Sequence, residues 1–205
     1  MRMLQNAFRG TSITYGFDQQ NSYAAYDDSI LYENDLPVGM QFKVMRKGTS
    51  VPMVLHHALG RPRMYAATAA LAVAEIVGID AATAAAGIAT WDPPPGRVRI
   101  LPGSKGSIII DDTYNSSPAS VLVALDTLKA VKGKRKIAVL GDMLELGRYS
   151  AEAHKHVGER VAETADLLRT VGFRSRQVAE SALDAGMKES KIMQYEMNEA
   201  DRAGE

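Results

Sequence analysis

Residues 108–121 read IIIDDTYNSSPASV: an apolar β-branched run, two aspartates, a short polar stretch and a serine–proline pair. Ile108–Ile110 have the composition of a strand, and Ser117 and Pro118 are suited to the N-cap and first position of a helix. A strand that breaks into a loop and then a helix is the unit of an α/β sheet. In such sheets ligands sit outside the carboxyl ends of the strands, where this stretch gathers Asp111, Asp112, Tyr114 and Asn115. Free N–H groups of a first helical turn attract anions, and a neighbouring carboxylate and amide can hold ribose hydroxyls.

Downstream the alternation continues. A helix over 118–131 carries Val121, Leu125 and Leu128 on one face. KIAVLGD, 136–142, is a continuous apolar run, expected of a parallel strand covered on both faces. A helix over 151–165 should bury Val157, Val161 and Ala165. ADLLRTVG is the next strand, SRQVAESALDAG the next helix and KIMQY a final strand. Strands near 108, 137, 168 and 192 leave crossovers long enough for right-handed βαβ units. The fold class is therefore α/β, and this half is a Rossmann-like, mostly parallel sheet. The closing NEADRAGE reads as the start of another helix.

Upstream the texture differs. SITYGF, SILYE, MQFKVMRK and VPMVLHH are short strand-like runs between Gly, Pro, Asn and Asp, which suits a small antiparallel sheet. RMYAATAALAVAEIV, 63–77, is apolar nearly all round, as for a helix packed on more than one side, with Gly78 as its stop. A second helix spans about 80–88. The three prolines of TWDPPPG, 90–96, cannot continue a helix, so a domain boundary falls there, between domains 1–92 and 96–205.

Composition narrows the functions. With 24 Lys+Arg against 24 Asp+Glu, the chain offers no electrostatic footprint for nucleic acid. It has no cysteine, hence no disulfide and no thiolate metal site. It has no secretory segment and no apolar run long enough to span a bilayer, so a cytoplasmic protein without membrane insertion is expected. PGSKGS, 102–107, lacks the spacing and the following helix of a phosphate loop and reads as the turn of a hairpin between RVRIL and SIIID, and no G-x-G-x-x-G supports a nicotinamide cofactor. His56, His57, His154 and His156 make no metal pattern, and KGKRK, 132–136, is a solvated loop. The abrupt opening and close suggest a piece of a larger protein.

PPPGRVRI, IIIDDTYNSSPASVLVALDTL and KIAVLGDMLELGRYSAEAHKHVG follow one another in order. Together they resemble the carboxyl-terminal domain of the Mur ligases. ITYGF through GRPRMYAATAALAVAEIVGID looks like the last portion of that family's central α/β ATP-binding domain. The combination of D-[ST]-Y-N-x-x-P, V-L-G-D-M-x-E-L-G and H-x-x-V-G is similar to the branch that joins D-alanyl-D-alanine to UDP-N-acetylmuramoyl-tripeptide.

The resemblance implies an ATP-dependent amide ligase of peptidoglycan precursor synthesis. ATP phosphorylates a carboxylate of the UDP-linked peptide, and the incoming amine displaces phosphate from the acyl phosphate. Arg97 matches the catalytic arginine that reaches the ATP phosphates on domain closure. Asp112 matches the acidic residue at the ribose, and Asn115 lies in the same nucleotide-facing loop. Asp142 and Glu145 would face the amino substrate, and His154, one turn before Gly158, would either touch a ligand near them or serve as a solvated or capping residue. Mg²⁺ is implied as well, with its ligands outside this chain, so no metal site is expected within it.

Two departures qualify the likeness. Where the family has G-x-H-N-x-x-N-A, this chain has GRPRMYAA, which leaves Arg63 to stand in for the missing amides at the nucleotide. The family's phosphate loop and closing strand are not in the sequence, so the chain is expected not to turn over alone. Two alternatives remain: a nonenzymatic Rossmann-like module that binds a nucleotide or protein partner, and a related ligase such as folylpolyglutamate synthetase, against which GDMLELG argues.

Overall fold

The structure, a computed structural model, describes residues 10–204. The chain divides into two compact units, Met1–Pro93 with Ile100–Ile108, and Pro94–Arg99 with Ile109–Glu205.

In the first unit, β1 (Tyr15–Gly16), β2 (Tyr23–Glu33), β3 (Leu36–Arg46) and β4 (Thr49–His56) lie side by side in that order. β2–β3 and β3–β4 are antiparallel, and β1 runs parallel to β2. Both hairpins turn on two residues with positive φ: Asn34 and Asp35 in the first, Lys47 and Gly48 in the second. That is the backbone twist which matches the twist of paired strands. β2 begins at Tyr23, six residues before the SILYE run. Asp27 and Asp28, which read as a turn, instead sit at a register shift between Tyr26 and Ser29, with Asp27 at φ 55°. SITYGF contributes only the two residues of β1.

Helices α1 (Arg61–Ile76) and α2 (Ala81–Ala89) also belong to this unit, as does the segment Ile100–Ile108. α1 buries Met64, Ala67, Thr68, Leu71 and Ala72, the spacing of a single face. Val73, Ile76 and Val77 are exposed, so the expected packing on more than one side is not what the structure has. Asp80 caps α2 by accepting from the Ala82 and Thr83 N–H groups.

The second unit holds a parallel sheet of β7 (Ile137–Gly141), β8 (Leu167–Val171) and β9 (Ile192–Tyr195), in that order. The strands alternate with α3 (Pro118–Ala130), α4 (Ser150–Ala162) and α5 (Arg176–Asp184). One correction concerns the first long strand. β6 (Ile108–Asp111) pairs with β5 (Arg99–Pro102) in a separate two-stranded sheet and is not in the parallel one. A short 3₁₀ turn at Ser104–Gly106 closes that hairpin and directs the β6 hydrogen bonds to β5.

A second correction concerns β7, expected to be covered on both faces. Ala138 packs with Leu168, Val157, Val161 and Val178 in the core built with the three helices. Ile137 and Val139, on the opposite face, are 37% and 52% exposed. On that face Arg169 and Met193 are in register with Val139. Residues Met197–Gly204, expected as an α-helix, form a 3₁₀ run whose Ala203 is buried and accepts from Arg169 Nη1 at 2.7 Å. Ala165 lies beyond the end of α4 and is only half-buried. Among the described residues no helix is long and apolar enough to cross a membrane.

Candidate functional site

Asp112, Asn115, Asp142 and Glu145 lie on loops that follow strands, and Arg97 lies just before β5. Gly96, at φ 72°, donates its N–H to Asp111 Oδ2 at 2.9 Å, and its carbonyl accepts the Tyr114 N–H at 3.2 Å. A Cβ on Gly96 would stand 2.6 Å from the Tyr114 nitrogen, so no larger residue fits this clamp. The Gly96–Arg97 turn is thereby fastened to the carboxyl end of β6.

Asp111 also accepts from the Thr113 hydroxyl at 2.7 Å and the Thr113 N–H at 3.2 Å. Burial pushes its carboxyl upward. The hydrogen bonds from Thr113 and Gly96, together with the charge of Arg99, outweigh that and hold it below the usual carboxylate value. Asp111 is therefore built into the scaffold. Asp112 is half-buried and Asn115 is exposed on the same loop.

Arg97 places its guanidinium carbon 3.9 Å from the centroid of the Tyr114 ring. Tyr114 is 70% exposed, so this stack lies at the surface of the loop. The next residue, Val98, is buried with φ 54°, a conformation that a β-branched residue adopts only when its surroundings impose it. Ser117 and Ser120 then form a reciprocal capping box that starts α3.

The loop after β7 carries the other expected residues. Asp142 Oδ1 accepts the Ser175 N–H at 2.7 Å, and Oδ2 lies 3.9 Å from Arg174 Nη1. Glu145 is exposed, with φ 61°. His154 is bonded within the chain at both ring nitrogens. It is 1% exposed, its Nε2 accepts the Met143 N–H at 3.1 Å, and its Nδ1 donates to the Ser150 carbonyl at 2.7 Å. With both nitrogens engaged, His154 holds the loop in place from beneath.

The structure thus brings Arg97, Asp112 and Asn115 onto two segments joined by the Gly96 clamp. Asp142 and Glu145 share a second loop, whereas Arg63 is half-buried on α1 in the first unit. Sequence reasoning did not assign a role to Gly96 or Asp111. The signal was an adjacent Gly-Arg pair beside a strand end with a spare carboxylate. Among the described residues no group of three or more His, Asp or Glu is placed to hold a metal ion.

Residues 96–203 match the family model described as Mur ligase, glutamate ligase domain. The UDP-N-acetylmuramoyl-tripeptide--D-alanyl-D-alanine ligase of Synechocystis is 32% identical over 164 residues, which are 78% of this chain and 32% of that protein. The chain thus spans about a third of the length of that relative. Among solved structures, MurF from Acinetobacter baumannii superimposes with a TM-score of 0.74 at 25% identity, over 90% of this chain and 37% of the other. The MurF ligase of Thermotoga maritima, solved in complex with ADP, gives 0.69 at 21% identity over 93% and 46%, a likeness of fold.

Proposed function

The chain belongs to the Mur ligase family, and on that premise we propose that it supplies the nucleotide-closing part of an ATP-dependent amide ligase. The reaction is the addition of D-alanyl-D-alanine to UDP-N-acetylmuramoyl-tripeptide, in the cytoplasm, during peptidoglycan precursor synthesis. Residues 1–92 correspond to the end of the central ATP-binding domain and 96–205 to the carboxyl-terminal domain. The observation that carries the reading is the clamp by which Gly96 ties Arg97 to the acidic end of β6.

The chemistry explains why such a clamp is useful. A carboxylate is a poor electrophile until one of its oxygens becomes a leaving group. Phosphorylation by ATP makes an acyl phosphate, the amine of the dipeptide attacks its carbonyl carbon, and phosphate departs. Charge grows on the transferring phosphoryl oxygens, and a fixed guanidinium such as Arg97 stabilises it without reorganising at the moment of reaction. Asp112 and Asn115 would hold the ribose side of ATP, with Arg63 serving the nucleotide where the family's amides are replaced. Asp142 and Glu145 would face the amino substrate. Mg²⁺ would be held by ligands outside this chain and would offset the charge of the phosphates.

The test joins this chain to the amino-terminal portion of the Synechocystis relative and measures phosphate release. Release that requires ATP, UDP-N-acetylmuramoyl-tripeptide and D-alanyl-D-alanine together is expected. Release independent of the dipeptide overturns the substrate assignment.

A further inference from the structure

Arg97 is fixed from both sides along the backbone. Before it, Gly96 is held by Asp111 and by the Tyr114 N–H. After it, Val98 is buried in a left-handed conformation that permits little adjustment. What remains free is the long side chain, whose rotors would let the charge sweep a wide arc. The Tyr114 ring removes that freedom, because the guanidinium lies over its face at 3.9 Å.

We propose that Tyr114 is a positioning residue for Arg97: its ring holds the guanidinium in the direction from which it meets anionic phosphate oxygens. The same tyrosine supplies both halves of the arrangement, its N–H gripping Gly96 and its ring gripping Arg97. A planar guanidinium stacks on an aromatic face while its edge N–H groups stay available to an anion, which an ammonium cannot do as well. The inference rests on the reading of Arg97 as a nucleotide-binding residue.

The test uses the 205-residue chain joined to the amino-terminal portion of the Synechocystis relative, nitrogen-15 labelled and titrated with ATP. The Arg97 Nε–H resonance, assigned by its loss in Arg97→Lys, is expected upfield through the ring current of Tyr114. It should keep that position in Tyr114→Phe and lose it in Tyr114→Leu. ATP affinity should be retained by Tyr114→Phe and fall about fivefold, about 1 kcal/mol, in Tyr114→Leu. The double variant Arg97→Ala/Tyr114→Leu should bind no more weakly than Arg97→Ala alone. An undisplaced Arg97 resonance, or Tyr114→Leu binding ATP as the unchanged chain does, overturns the positioning role. Arg97→Ala binding ATP as tightly as the unchanged chain overturns instead the nucleotide reading beneath it.

Discussion

Asp142 accepts the Ser175 N–H at 2.7 Å, which ties the loop after β7 to the start of α5. Ser175 is fully buried, so its N–H has no water to turn to if that carboxylate is removed. Asp142→Ala should therefore cost about 1–3 kcal/mol. Asp142→Asn keeps an acceptor oxygen and should cost less than half as much. Thermal unfolding followed by circular dichroism separates the two, and an unchanged midpoint in Asp142→Ala would show that the bond contributes nothing.

Asp111 predicts a pH dependence. Its folded carboxyl titrates below the unfolded value of about 3.9. A depressed carboxylate contributes stability that is fully present above the unfolded pKa and is lost as pH falls through the folded one. Stability of the second unit should thus be flat from neutral pH to about 5 and should decline below about 4. Asp111→Asn should be less stable at neutral pH and show a shallower decline in acid. Unfolding midpoints measured from pH 7 to pH 3 check the slope, and parallel profiles for the two proteins would refute it.

The H-x-x-V-G run on α4 predicts two losses of different kind. A Cβ on Gly158 would meet the Val178 carbonyl oxygen at 2.4 Å and Ser181 Cβ at 2.7 Å, so α4 and α5 approach only because residue 158 has no side chain. Gly158→Ala should cost about 1–3 kcal/mol by overpacking, despite alanine's better helix propensity. His154→Ala deprives the buried Met143 N–H of its acceptor and leaves a cavity, for about 2–4 kcal/mol. Chemical denaturation of the two variants gives both numbers directly.

The helices and parallel strands of the second unit were legible because periodicity and caps agreed there: Ser117–Pro118 opens α3 where its residues say it should. RVRIL and SIIID flanking PGSKG were legible as the β5–β6 hairpin, but β6 was also counted in the parallel sheet, because an apolar run does not say which further strands it joins. In β7 the run Ile137–Leu140 looked buried throughout, yet only Ala138 is, since apolar side chains on an uncovered face leave no mark in the sequence. The acidic strand end was legible as a polar loop, but the structural role of Asp111 was not. It depends on which carboxylate faces Gly96, fifteen residues earlier. The role of His154 stayed open between ligand and cap, because a histidine beside a motif carries no record of whether its nitrogens point outward or into the loop.

The first unit makes its own prediction through a shielded ion pair. Arg46 Nη2 lies 2.8 Å from Glu75 Oε1, with the side chains 19% and 11% exposed, and joins β3 to the last turn of α1. Tyr23, on β2, has its hydroxyl pushed upward by burial and then by its hydrogen bond to Glu75. Removing one member leaves a charge sheltered without its partner, so Glu75→Gln should cost about 3 kcal/mol. Replacing both, as Arg46→Met with Glu75→Leu, should recover most of that loss, because no sheltered charge is left. For Tyr23 the folded pKa is raised, so its contribution is complete below the unfolded value of about 10 and is lost as pH rises through the folded one. Tyr23→Phe should flatten the alkaline limb of the stability profile above pH 10 while leaving the acid limb unchanged. Unfolding midpoints between pH 8 and pH 11 check this, and an alkaline limb of equal slope in both proteins would place the titrating group elsewhere.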